Sequence, residues 1–329
     1  MSTKEILENK INKVRDGLTT IKKSSNAVTK ELNQLAEVLS KDVQNPIVNP
    51  YVDDLTKLTT RIVRESSVEI DRLCVCKEEE YDAREMISWG HLRVASLNVL
   101  TFLVCSEQRC VALLERCLDP ILEVLKSKSA KTDFVGVRAA INVARNLVLP
   151  LKNRPVFWKV GALKVFLGHA CHKDPNISLA AVVASRQLVL NCDKFLAQDF
   201  VSASDVKTCT ELISEFLKRD LKHTHPVVRA EFSRCLALLL TSVSKVQEEK
   251  LSPFRSLLCE KASLEFLCFL LASRKPQLHA ETLMALGGMR KIKSLTSDVE
   301  YVAILNDLKL QLGPSTISVK QRLDQLQGK

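Results

Sequence analysis

Glycine and proline are both scarce in this sequence, at 9 and 10 of 329 residues. An average protein contains about 7% glycine, and phosphate-binding loops, tight hairpins and β-bulges depend on that residue. The catalytic signatures GxxxxGKS, GxxxxGKT, GxGxxG, GxSxG and HExxH do not occur in the sequence. The composition therefore predicts a helical chain that is not an enzyme and needs no cofactor.

Long apolar runs are also missing, because no stretch reaches the 18 consecutive apolar residues of a membrane span. The first ten residues carry charges where a secretory signal needs an apolar stretch. Eleven cysteines, an odd number, are scattered through apolar segments. They are typical of small core residues in a reducing compartment rather than of a disulfide framework. We predict a cytosolic protein without a membrane span.

Neither a metal site nor a nucleic-acid surface is expected. His169, Cys171 and His172 are close in sequence, but no second pair of ligands matches them at the spacing of a zinc site. Aromatic residues make up 5% of the chain, too few to interleave with basic residues and stack on single strands. The charge is nevertheless uneven, since residues 1–90 hold 14 Lys+Arg against 16 Asp+Glu and the rest hold 34 against 22. Such a basic bias favours acidic partners, nucleic acid or anionic lipid surfaces, or serves solubility alone.

Residues 7–39 carry apolar side chains at alternating spacings of four and three, interrupted only by Ser25. This heptad pattern predicts one long helix that ends before Pro46 and buries one stripe. A second amphipathic segment, residues 51–73, can cover that stripe in a helical hairpin, or a second chain can cover it in a dimerising coiled coil. An acidic segment follows at residues 77–85. We predict an N-terminal domain over 1–88 and a repeat domain over 89–329.

From residue 91 onward the sequence contains recurring pairs of helical segments. Five Ala- and Leu-rich segments can be overlaid without gaps: HLRVASLNVLTFLV, GVRAAINVARNLVLP, ISLAAVVASRQLVL, PVVRAEFSRCLALLL and QLHAETLMALGGM. Their corresponding positions are Phe102, Asn146, Gln187, Ala237 and Gly287, at spacings of 44, 41, 50 and 50 residues. Partner helices are predicted at 110–126, 155–172, 204–221 and 253–273. These periods predict an all-α, right-handed superhelical solenoid of the armadillo/HEAT type, with capping helices in 298–329.

Several repeats also resemble a known family. GVRAAINVARNLVLP, followed by VGALKVFL, and the later segments that contain Glu231, Arg234 and Glu281 resemble the C-terminal armadillo repeats of the small-GTPase GDP dissociation stimulator (SmgGDS) family. The resemblance implies a protein that engages small GTPases of the Rho and Ras type, including prenylated forms, and promotes nucleotide exchange. The alternative is an armadillo adaptor that binds another protein without exchange activity.

The same resemblance implies a partner-binding groove. Asn146 matches an Asn of the armadillo ladder, whose side chain can bond an extended partner backbone or can instead tie one repeat to the next. Asn142 lies one helical turn earlier on the same face, and Gln187 takes the corresponding place in the next repeat. Arg138 and Arg229 flank the groove. The complete predicted groove consists of Asn98, Arg138, Asn142, Asn146, Gln187, Arg229 and Ser233.

Overall fold

The computed structural model describes residues 3–18, 21–42, 46–75, 83–198, 200–219, 224–258, 260, 262–264, 266–267, 276–293, 306 and 321. These residues form helices, turns and short connections and no β-strand, so the predicted all-α class is confirmed. The chain divides into two compact units, Met1–Arg154 and Pro155–Lys329. Most of the predicted acidic segment at 77–85 and nearly all of the predicted capping helices at 298–329 lie outside the described residues.

The first unit, called unit 1 below, is built from helices that stack in two layers. Its described helices are α1 (Thr3–Leu18), α2 (Ile21–Asp42), α3 (Val52–Val75), α4 (Ala83–Leu103), α5 (Glu107–Lys126) and α6 (Phe134–Val148). In one layer α2 packs on α4 and α4 packs on α6, and in the other layer α3 packs on α5. The pairs α3 with α4 and α5 with α6 join the layers. Helices from both sides of residue 88 thus pack together, and the domain division there stays a prediction.

The prediction of one long N-terminal helix is wrong, because α1 folds back on α2. Lys10 of α1 lies 3.3 Å from the Glu31 carboxylate of α2, a contact that a straight helix cannot make between residues 21 positions apart. The heptad side chains that the structure describes are buried inside unit 1: Leu7, Ile11, Val14, Leu18, Val28, Leu32, Leu35 and Leu39. The described part of the stripe is therefore covered within unit 1 and presents no free apolar face for the dimerisation predicted through residues 7–39.

The second unit, called unit 2 below, has repeats of one short helix followed by two longer ones. Its described helices are α7 (Arg154–Lys159, beginning at the boundary), α8 (Ala162–Ala170), α9 (Pro175–Val189), α10 (Asp193–Leu196), α11 (Ala203–Leu217), α12 (Pro226–Val243), α13 (Ser252–Leu258) and α14 (Pro276–Lys293). One layer contains α9, α12 and α14, and the other contains α8, α11 and α13. Three helices per repeat are typical of armadillo architecture.

Local sequence determines where these helices begin. Asp133 caps α6 by accepting a hydrogen bond from the Gly136 backbone N–H at 2.9 Å, and Asp174 caps α9 just ahead of a proline at its first position. Both follow the preference for Asp at the N-cap and Pro at the first helical residue. Within unit 2 the core includes stacked rings of Phe216 and Phe232, whose centroids lie 3.6 Å apart.

In the part of the chain that the structure describes, no single helix is long and apolar enough to cross a membrane. The segments Phe134–Val148 and Leu151–Lys159 reach that length and apolarity only when taken together, as a bent pair.

Candidate functional site

The layer of α2, α4 and α6 in unit 1 has an outward surface, called the open face below, that carries four of the predicted site residues. On α6, Arg138, Asn142 and Asn146 recur every four residues and so lie along one side of the helix. Arg138 is exposed, and the two asparagines are half-buried. Asn98 is exposed on α4, and its 44-residue distance from Asn142 equals that from Phe102 to Asn146. The packed helices α4 and α6 therefore carry an amide at corresponding positions.

The side-chain amides of these asparagines make no contact that the described residues would use for packing one repeat on the next. Within the described residues, no hydrogen bond is made by the side chains of Asn98, Asn142 or Asn146. The contact between repeats is made by the Asn146 backbone instead, whose carbonyl accepts from the Cys110 thiol at 3.3 Å. A different residue, the buried Asn153, joins the segments through its side chain, donating to the Cys110 carbonyl at 3.0 Å and to another carbonyl at 2.7 Å. The donors and the acceptor of the Asn146 amide are therefore unused among the described residues.

A groove lies between α2, α4 and the beginning of α6. Its cavity measures about 590 Å³ and has mainly apolar walls, with Ile87, Val94 and Val135 among them. Thr29 and Asn33 of α2 also line it. These two residues were not predicted, because the heptad pattern suggested that the N-terminal helix formed a separate hairpin or coiled coil.

A buried ion pair supports this groove. The Arg93 side chain is wholly buried on α4, pairs with the Asp133 carboxylate, and donates to the Ser67 hydroxyl at 3.3 Å. Asp133 lines the groove and also caps α6. A Cβ atom at Gly136 would overlap the Asp133 carboxylate, which explains the glycine at this position. The negative charge at the groove is thus neutralised by Arg93.

The rest of α6 makes the open face positive. Arg138 and Arg145 form no ion pair with any described residue. No Asp or Glu occurs in the sequence from Phe134 to Arg154. Because the nearest acidic residue, Asp133, is already engaged with Arg93, the two free guanidinium groups leave unit 1 with an electrostatic preference for negative charge on this side.

On α12 of unit 2, the predicted site positions lie one residue away from the residues on the half-buried side of the helix. Ser233 is wholly buried, and its Oγ has no hydrogen-bond partner in the described part, so it does not reach the surface as the groove prediction required. The half-buried side of α12 runs instead through Ala230, Arg234 and Leu238, and Arg229 is half-buried next to it. Counted from the half-buried Val183 of α9, Arg234 is 51 residues away. The overlay without gaps assumed a spacing of 50 residues between these two repeats. The predicted positions on α12 therefore lie one residue away from the outward-facing ones.

A chain of ion pairs joins the three helices of this layer. Arg186 of α9 lies 2.6 Å from a carboxylate oxygen of Glu231, and Arg234 lies 3.2 Å from the other. Arg234 also makes two 2.8 Å hydrogen bonds to Glu281 of α14, and this carboxylate raises the pKa of the guanidinium above its ordinary value. Gln187, also predicted, is half-buried on α9 and makes no side-chain hydrogen bond within the described residues. The charged side chains in this chain of ion pairs thus satisfy one another, whereas Gln187 and Ser233 do not take part.

Comparisons with known proteins place the chain in no family. No protein-family model matches the sequence, and no curated protein matches it. An engineered protein solved by a structural genomics consortium is similar in structure, with a TM-score of 0.49 and 15% sequence identity over 79% of this chain and 98% of that chain. A designed armadillo repeat protein has a TM-score of 0.48 and 14% identity over the same shares. The likeness is one of helical architecture and says nothing about a partner.

Proposed function

We propose that this chain is a non-catalytic protein-binding solenoid, and that the open face of unit 1 binds an extended segment of another protein. The observation that supports this most is the set of unused amides on α4 and α6. The amides of Asn142 and Asn146 are half-buried and have no hydrogen-bond partner within the described residues. Half-buried amides of this kind bond to water, and a partner backbone can replace that water.

An extended chain suits the spacing of these groups. An amide side chain offers one acceptor and two donors, which match the N–H and C=O groups of a backbone without secondary structure. Packed helices lie about 8–10 Å apart, and three extended residues span about 10 Å. A strand that crosses from α4 to α6 would therefore meet Asn98 and then Asn142. Stacked repeats commonly bind along such surfaces.

The test is removal of the amides. We expect the double change Asn142→Ala and Asn146→Ala to weaken binding about tenfold for each amide lost, because a hydrogen bond contributes about 0.5–1.5 kcal/mol and each amide can make two. The matched control is Asn9→Ala, an exposed asparagine on α1 in the same unit. Partners captured by the wild-type chain would be quantified against both variants. Partners that bind the double variant as well as the control would contradict the proposal.

We propose further, from the resemblance of the repeats, that the partner is a small GTPase of the Rho or Ras type, in prenylated or unprenylated form. Such a protein promotes nucleotide release by binding the open GTPase more tightly than the closed one, since a ligand shifts an equilibrium only by its differential affinity. Arg138 and Arg145 would repel a basic GTPase tail. The open face of unit 1 would therefore bind an extended acidic segment of the GTPase and not its basic tail.

Nucleotide release distinguishes this narrower proposal from an adaptor. Purified Rho and Ras family GTPases, prenylated and unprenylated, would be loaded with a fluorescent guanine nucleotide and mixed with increasing amounts of the protein. Acceleration that persists after deletion of the basic tail and weakens with Asn142→Ala and Asn146→Ala is the expected result. If no GTPase binds or releases nucleotide faster, the adaptor function remains and the GTPase proposal fails.

The proposal includes a cytosolic location and the absence of a catalytic role. It is supported by the scarcity of glycine, by the missing catalytic signatures and by the odd number of cysteines. The described thiols are free, and several lie in the core. Fluorescence microscopy of the tagged full chain would test the location, and accumulation in a secretory compartment would contradict it.

A further inference from the structure

The groove of unit 1 exposes apolar surface that the described chain does not cover. Ile87 is 57% exposed and Val135 is 52% exposed, and both line the cavity. Eight large apolar side chains are exposed in the described residues, so a quarter of them stand at this one groove. Exposed apolar side chains gathered around a concavity mark a binding site more often than scattered ones do.

Gly90 keeps the groove open. It lies on α4 between the lining residues Ile87 and Val94 and is itself part of the lining. A Cβ atom at Gly90 would meet no other atom within 4 Å, so neither a turn nor close packing requires glycine there. The cavity of about 590 Å³ lies within the range of about 300–1,000 Å³ that ligand pockets occupy. It has room for a large apolar side chain.

The charges around the groove favour an acidic ligand. Arg138 lies one helical turn beyond the lining residue Val135 on α6. Neither Arg138 nor Arg145 has an ion-pair partner within the described residues. The acidic side chain in the lining, Asp133, is held by Arg93. A peptide with carboxylates next to an apolar anchor would therefore meet uncompensated positive charge along α6.

We propose that this groove binds an acidic peptide segment of another protein through one bulky apolar side chain. The apolar side chain enters between α2, α4 and the start of α6, and the carboxylates beside it reach Arg138 and Arg145. This inference rests on the proposed function, because it identifies the chemistry of the partner that the open face of unit 1 binds. Since the arginines are exposed or half-buried, the affinity falls as salt screens the charges.

The experiment is a selection from a displayed random peptide library on the immobilised full chain. We expect the enriched peptides to contain Asp or Glu around one Leu, Ile, Phe or Trp. Gly90→Leu fills the groove with the chain's own side chain and is expected to weaken the enriched peptides about tenfold or more, the effect of excluding one large apolar group. The matched control is Gly168→Leu on α8, an exposed helical glycine whose Cβ would also meet no atom within 4 Å. Both changes raise helix propensity, so a thermal melt will show both variants folded.

Each result decides between the two proposals. Peptides that require Asn142 and Asn146 but are basic, or that bind Gly90→Leu unchanged, overturn the groove proposal and leave the proposed function intact. A library that yields no enriched peptide on the wild-type chain contradicts both. A wild-type chain that sediments as a dimer, and that Gly90→Leu converts to a monomer, shows that the groove holds a second copy and overturns the acidic-peptide proposal.

Discussion

Removal of the Asp133 charge is expected to destabilise unit 1 strongly, because it leaves the Arg93 guanidinium buried and uncompensated. The Arg93 side chain is 0% exposed and that of Asp133 is 16% exposed. Asn is nearly as good a helix cap as Asp, so Asp133→Asn removes the charge while keeping the cap on α6. Breaking a fully buried pair costs about 3–5 kcal/mol. Since Asp133 retains contact with water, we expect a loss of about 2–3 kcal/mol in the free energy of unfolding.

The double change tests the reasoning behind that magnitude. Arg93→Met removes the buried charge, so adding it to Asp133→Asn is expected to restore part of the stability. The combined loss should fall short of the sum of the single losses by about 1–3 kcal/mol. The sequence offers a local reporter, because its two tryptophans are Trp89 on α4 and Trp158 on α7. In a Trp158→Phe background, urea unfolding followed by Trp89 fluorescence reports on unit 1. A single loss below about 1 kcal/mol, or additive single losses, would refute the argument.

Two further predictions concern unit 2 and the cysteines. Glu281→Gln is expected to lower the stability of unit 2 by about 1 kcal/mol, because it removes the bidentate carboxylate contact with Arg234. The loss should be smaller at high salt. Equal urea midpoints for the variant and the wild type at low salt would contradict this. Burial raises the pKa of four thiols to about 12, those of Cys117, Cys192, Cys209 and Cys235. In the native chain at neutral pH we expect these thiols to resist iodoacetamide while the exposed Cys105 reacts. Rapid labelling of any of the four in the native chain would show that the core opens there.

Periodicity predicted the repeat helices well because their ends carry local signals. Asp133 and Asp174 stand where α6 and α9 begin, and the apolar residues between such caps recur at helical spacing. The N-terminal helices were harder to predict from periodicity. Leu18 and Ile21 are three residues apart, so the apolar period continues across the reversal between α1 and α2. Gly17, at the end of α1, is the residue that signals a helix terminus there.

The site was predictable only as far as each helix could be treated alone. The resemblance to the armadillo ladder pointed to Asn146 and the helical spacing added Asn142, and the structure places both on one side of α6. Thr29 and Asn33 were not predicted, because the packing of α2 on α4 joins segments about 60 residues apart in sequence. On α12 apolar residues surround the helix so evenly that the overlay alone could not fix which side faces outward. The ion pairs of Arg234 identify that side.

The contrast between the polar groups of the two units indicates where a partner would bind. A strand that used the layer of α9, α12 and α14 would have to displace the Glu281 carboxylate from Arg234, exchanging two charge-assisted hydrogen bonds for neutral ones. On the open face of unit 1, Asn142 and Asn146 offer amides that no described side chain occupies, so binding there breaks no hydrogen bond among the described residues. Net affinity is what remains after the cost of breaking existing interactions is subtracted from the new hydrogen bonds and packing. We therefore expect a partner to bind the layer of unit 1 at a lower cost than the layer of unit 2, whose charged side chains are engaged with one another.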